Sequence, residues 1–98
     1  MVFLRYVLKS AIKCKRTVTF QYEGLPRVVE PHMIAITDTG KWILKAFQTW
    51  TFDSRNRPDW KFFSIPNIKD IIVMNKSFES KRDFEKSQFY IDKIIMQV

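Results

Sequence analysis

Ninety-eight residues suffice for one domain, and a composition 46% hydrophobic and 15% aromatic is too apolar for a disordered chain. The net charge of +7 points toward an anionic partner, and it is uneven: residues 1–28 hold six Lys or Arg against Glu23 alone. Cys14 is the single cysteine, which excludes an internal disulfide; no apolar run reaches the roughly 20 residues of a membrane span, and Arg5, Lys9 and Lys13 break what would be a signal peptide, so a cytoplasmic protein without a membrane partner is expected.

The first element predicted is a helix over about 3–15. Leu4, Val7, Leu8, Ala11 and Ile12 fall at helical spacing and form one apolar face. Arg5, Lys9, Lys13 and Arg16 fall on the opposite side at steps of four, four and three. That basic face is a candidate for anion contact; the plainer reading is a solvated helix face.

After Arg16 the period changes to two. Val18, Phe20 and Tyr22 alternate with Thr17, Thr19 and Gln21, which predicts a half-buried strand. Gly24-Leu25-Pro26 supplies a turn, and a second strand runs over about 27–37. Pro31 lacks a backbone donor, so it marks an edge or a bulge in that strand. Asp38-Thr39-Gly40 closes a hairpin. The third strand, about 41–49, places Trp42, Leu44, Ala46 and Gln48 on one face and Ile43, Lys45 and Phe47 on the other.

A polar loop follows over 51–59, with Trp50 and Trp60 at its ends. A fourth strand covers 60–65, Pro66-Asn67 breaks it, and 68–75 reads as a fifth. Residues 77–88 are charged and aperiodic, with Phe78, Phe84 and Phe89 as anchors. The β-branched content of Ile94-Ile95-Met96-Gln97-Val98 favours a closing strand over a helix. The expected fold is mainly β, or α+β by content: a leading helix, then a small barrel of five to six strands, since closure removes exposed edges.

Three landmarks carry a resemblance. They are Glu30-Pro31-His32, then Trp42-Ile43-Leu44-Lys45-Ala46-Phe47-Gln48, then Trp60-Lys61-Phe62-Phe63. In order and spacing they resemble the WYL domain, a small Sm-like, SH3-type β-barrel named for a Trp-Tyr-Leu run. Ala11-Ile12-Lys13-Cys14-Lys15-Arg16 looks like the end of that domain's leading helix, Thr19-Phe20-Gln21-Tyr22 like its first strand, and Ser77-Phe78 like the segment after its fifth. The resemblance covers nearly the whole chain and implies one WYL-type domain over 1–98, with the helix at about 3–15 and the barrel at about 17–98. It also implies a bacterial source and a regulatory sensor of nucleic acid or nucleotide-like ligands.

Two departures stand out. WYL domains usually sit beside a DNA-binding helix-turn-helix, and the single leading helix here cannot make that motif. Many relatives carry Arg-Phe-Arg-Leu-Asp-Arg-Ile along the fourth strand and its exit, where this chain has Lys61-Phe62-Phe63-Ser64-Ile65-Pro66-Asn67-Ile68. The arginines that the resemblance assigns to phosphate thus correspond to Ser64 and Asn67. Both donate hydrogen bonds, and neither carries charge.

The candidate ligand-binding residues are therefore Tyr22, His32, Lys45, Lys61, Ser64 and Asn67, joined by the helix face of Arg5, Lys9, Lys13 and Arg16. His32 reads either as a donor to phosphate or as a hydrogen-bonded histidine at the barrel rim, and Trp42 reads as a core residue. Cys14 reads as a buried or half-buried filler. No nucleophile-base set, paired carboxylates, phosphate loop or cofactor fingerprint is visible, so no enzyme activity and no cofactor are expected. One Cys and one His offer no recognisable metal set. The expected function is weak binding of a nucleotide or single-stranded nucleic acid through a basic and aromatic surface. The alternative is a protein-interaction module, as a homodimer or accessory subunit.

Overall fold

The computed structural model describes residues 2–51, 57–79 and 91–98. One helix, α1 (Val2–Cys14), is followed by strands β1 (Arg16–Tyr22), β2 (Leu25–Thr37), β3 (Trp42–Thr51), β4 (Asp59–Ser64), β5 (Lys69–Ser77) and β6 (Ile91–Gln97). A 3₁₀ turn, Ile65–Asn67, joins β4 to β5. The predicted loop over 51–59 falls partly, and the anchors Phe84 and Phe89 wholly, outside the described residues.

The strands form one antiparallel sheet in the order β4-β3-β2-β1-β5, with β6 also on β2. No ladder between β4 and β5 closes the sheet among the described residues. The principal extents of 33 × 29 × 27 Å are nearly equal, so the sheet curls rather than lying flat.

The curl originates in β2. Its first half pairs with β1, from Val29 opposite Val18 to Leu25 opposite Tyr22. Its second half pairs on that same side with β6, from Met33 opposite Gln97 onward. Between the two partners lie Glu30, Pro31 and His32. Pro31 sits opposite Ala46 of β3 at the gap between β1 and β6, next to an irregularity in the ladder, which is where a central strand tolerates a proline. The register against β3 also slips between Pro31 and Met33, so the bulge expected at Pro31 is present.

The turns follow local chemistry. Glu23 and Gly24 both have positive φ (53° and 75°), which gives the two-residue turn whose twist matches an antiparallel pair. The turn is thus Glu23-Gly24, one residue earlier than the sequence suggests, with Leu25 and Pro26 already in β2. At the next hairpin the N–H of Gly40 (φ 81°) donates to the carbonyl of Thr37, and the Thr37 hydroxyl accepts from the N–H of Lys41 at 3.1 Å.

The main core lies on the concave side of the sheet. Leu8, Ala11 and Ile12 of α1 pack there against Val18, Phe20, Ile34, Leu44 and Phe63. Phe20, Tyr22 and Phe63 meet edge-on, with ring centroids 4.9–6.4 Å apart. The other face of β2–β4 carries a smaller cluster of Met33, Ala35 and Ile43 with Phe62 against it. Both faces of β3 are therefore buried in its middle, including Lys45 and Gln48. Cys14 is exposed, so it is no filler: it ends the helix on the side away from Ile12. No helix among the described residues is long and apolar enough to cross a membrane.

Candidate functional site

A cleft of about 580 Å³ opens where the β2–β3 hairpin meets the end of β4 and the 3₁₀ turn. Its walls carry four aromatic rings: Tyr22 from β1, Trp42 from β3, and Phe62 and Phe63 from β4. Lys41, Ser64 and Asn67 supply its polar rim. No carboxylate is among the described residues that line it.

Each wall has a local cause. Phe62 and Phe63 are consecutive on a strand and point to opposite faces. Both reach the cleft because it lies at the strand's end, where the two faces meet. Pro66 in the 3₁₀ turn ends β4 and swings Asn67 outward, where it is exposed. Gly40 in the left-handed region holds the hairpin tight and leaves Lys41 exposed at the rim. The hydroxyl of Tyr22 accepts the N–H of Ser64 at 3.0 Å and keeps its own proton to donate.

The sequence candidates divide between two places. Tyr22, Ser64 and Asn67 come together in the cleft. His32 and Lys45 do not join them. The bulge turns His32 toward Trp60 and Phe78, with ring centroids 4.8 Å from each, and it is fully buried. Its Nδ1 is 2.7 Å from the Glu30 carbonyl, so Nδ1 carries the proton and donates it. Lys45 is 3% exposed, and its ammonium sits 5.3 Å from the Trp60 ring and 5.6 Å from Phe62.

Lys61 pairs opposite Ala46 and shares the concave face with Phe63, whereas Lys45 pairs opposite Phe62 on the other face. The expectation of one shallow pocket holding Tyr22, His32, Lys45 and Lys61 is therefore replaced by a cleft around Tyr22. The reason is strand parity: neighbouring strands place two lysines on one face only at matching register.

On α1, Lys9 and Lys13 are exposed as expected. Arg16 leaves the stripe: its Nη1 donates to Asn75 Oδ1 of β5 at 2.8 Å. Arg5 turns inward, with its guanidinium carbon 4.2 Å above the Trp42 ring. Trp42 is thus half-buried between the core, the cleft and Arg5, and not a fully enclosed core residue. Trp50 is half exposed.

Two further residues take part in or behind the cleft, Lys41 and Arg27. Lys41 was legible as the residue after the hairpin glycine. Arg27 was not, because it opens β2 like any surface strand cation. Its side chain is only 11% exposed, behind the Tyr22 wall. Nη1 donates to Gln48 Oε1 at 3.1 Å and Nη2 to the Tyr22 carbonyl at 3.4 Å. The guanidinium lies 5.4 Å from the Tyr22 ring and 5.8 Å from Phe63, and its carboxylate neighbour, Glu23, is 3.9 Å away and exposed.

What this arrangement can do is hold a flat, partly apolar group against aromatic faces, with a cation and hydrogen-bond donors at the rim. The described residues contain no group of three or more His, Cys, Asp or Glu able to hold a metal. The chain matches no family model, no curated protein and no solved structure.

Proposed function

We propose that this chain is a WYL-type domain of Sm-like, SH3-type architecture that works as a non-enzymatic regulatory or accessory protein of a bacterial cytoplasm. It binds nucleotides or single-stranded nucleic acid weakly through the cleft. The observation that carries this reading is the lining: four aromatic rings and Lys41, with no acidic residue among those described. A base has a π-face to stack, and its phosphate needs a cation and donors. Lys41, Ser64 and Asn67 meet that need without an arginine fork, which sets the expected affinity low.

Calorimetric titration with a nucleoside monophosphate, the bare nucleoside and inorganic phosphate tests it. The monophosphate binds more tightly than either fragment, and Lys41→Glu weakens it toward the nucleoside's value. Binding of none of the three at low salt, or a monophosphate no tighter than its fragments, rejects the reading.

A second reading is favoured by one feature. Ile72 and Val73 of the outermost strand β5 are 62% and 44% exposed, which suits a protein partner or a second copy adding to that edge. Sedimentation across micromolar concentrations tests the second copy: a clean 11.8 kDa species removes self-association through that edge.

A further inference from the structure

The cleft does not stand by itself on the surface. Two shallower concavities lie along α1. One is lined by Val2, Arg5, Tyr6 and Lys9, the next by Tyr6, Lys9, Ser10, Lys13 and Met96. They share Tyr6 and Lys9. The first is joined to the cleft through the Arg5 guanidinium over Trp42, since Trp42 lines the cleft and Arg5 lines the concavity.

The charge along this path has one sign. Lys41, Arg5, Lys9 and Lys13 border it, and no Asp or Glu is among its described lining residues. The first acidic residue of the whole chain is Glu23. Arg5, Lys9 and Lys13 stand at successive four-residue steps, so like charges face each other along the helix with no carboxylate between them. Binding a polyanion relieves that repulsion. Aromatic rings are interleaved with the cations: Trp42 beneath Arg5, and Tyr6, which is 70% exposed, between Arg5 and Lys9. From Arg5 to Lys13 the helix rises about 12 Å.

We infer that the cleft and the exposed face of α1 form one track for a single-stranded oligonucleotide. One base enters the cleft beside Trp42, the chain turns over the Arg5–Trp42 stack, and successive phosphates meet Arg5, Lys9 and Lys13 while a second base lies on Tyr6. This rests on the cleft reading above and extends the site from the cleft onto the face of α1. It makes α1 part of the ligand site, not only the cover of the core.

The test is fluorescence anisotropy with labelled oligothymidylates of two, four and eight nucleotides, alongside thymidine monophosphate as competitor. Affinity rises with length from the dimer to the octamer by tenfold or more. Lys9→Gln with Lys13→Gln flattens the log-affinity against log-salt slope by about 1.4, two phosphates at roughly 0.7 each. The octamer then binds no better than the dimer, while the monophosphate binds as in the wild type. Both positions are exposed, and an unchanged thermal melt confirms that the fold is intact.

If length has no effect, or the double variant keeps the wild-type slope, the track is refuted and the cleft reading survives. Where neither monophosphate nor oligonucleotide binds, both fail. Binding of phosphatidylglycerol vesicles through Lys9 and Lys13, with no length-dependent oligonucleotide binding, overturns the track by making the α1 face a lipid surface.

Discussion

Trp42 and Arg27 show how a single side chain serves packing and site at once. Trp42 leans on the core with one edge, borders the cleft with another, and takes a guanidinium on its face. Arg27 is nearly enclosed, and its fork ties β2 to Gln48 of β3 and to the carbonyl of Tyr22, a cleft wall. Arg27→Ala strands the buried Gln48 acceptor, so it should destabilise the fold by about 1–3 kcal/mol in urea denaturation. Adding Gln48→Leu removes the stranded group, and the double variant should recover part of that loss; strict additivity would contradict the coupling. Tyr22→Phe removes the hydroxyl that accepts the Ser64 N–H, at an expected cost of about 1 kcal/mol in the same assay.

At the scale of elements, much was legible. The 3.6-residue period of Leu4, Leu8, Ala11 and Ile12 marked α1, and the alternation in Val18, Phe20 and Tyr22 marked β1, both within a residue or two of their observed bounds. Pro31 announced the bulge. The site was less legible for physical reasons. Period two says which residues share a face of their own strand, and not which face the next strand turns the same way. Lys45 and Lys61 were therefore joined in expectation and are separated by register. Inward-turned cations such as Lys45 and Arg27 look like surface residues in a sequence, because aromatic neighbours such as Trp60 and Phe63 come from the later strand β4. Two element-scale tests follow. Leu8 is fully buried on the core face of α1, so Leu8→Ala should lower stability by about 2–5 kcal/mol. On β5, register shifts flank Ile72 and Val73, whose exposed side chains are the ones the second reading assigns to a partner and lie outside the cleft. Ile72→Thr should thus leave oligonucleotide binding unchanged and abolish any self-association seen by sedimentation; loss of binding would shift the site to β5.

For the whole molecule, the net charge of +7 is arranged so that the concave core faces α1 while Lys9 and Lys13 of α1 face outward and Arg5 leans over Trp42 at the aromatic cleft. Outside shared residues such as Trp42, stability and recognition rest on different side chains. Core substitutions change melting, and rim substitutions such as Lys41→Glu change binding at constant melting. The most direct test of the account is the affinity of a labelled single-stranded tetranucleotide measured from about 20 to 200 mM salt. The account predicts binding whose log affinity falls linearly with log salt, with a slope of about −1.4 or steeper from two or more phosphate contacts at roughly −0.7 each, and a shallower slope for Lys41→Glu. Binding independent of salt, or none at 20 mM, would contradict it.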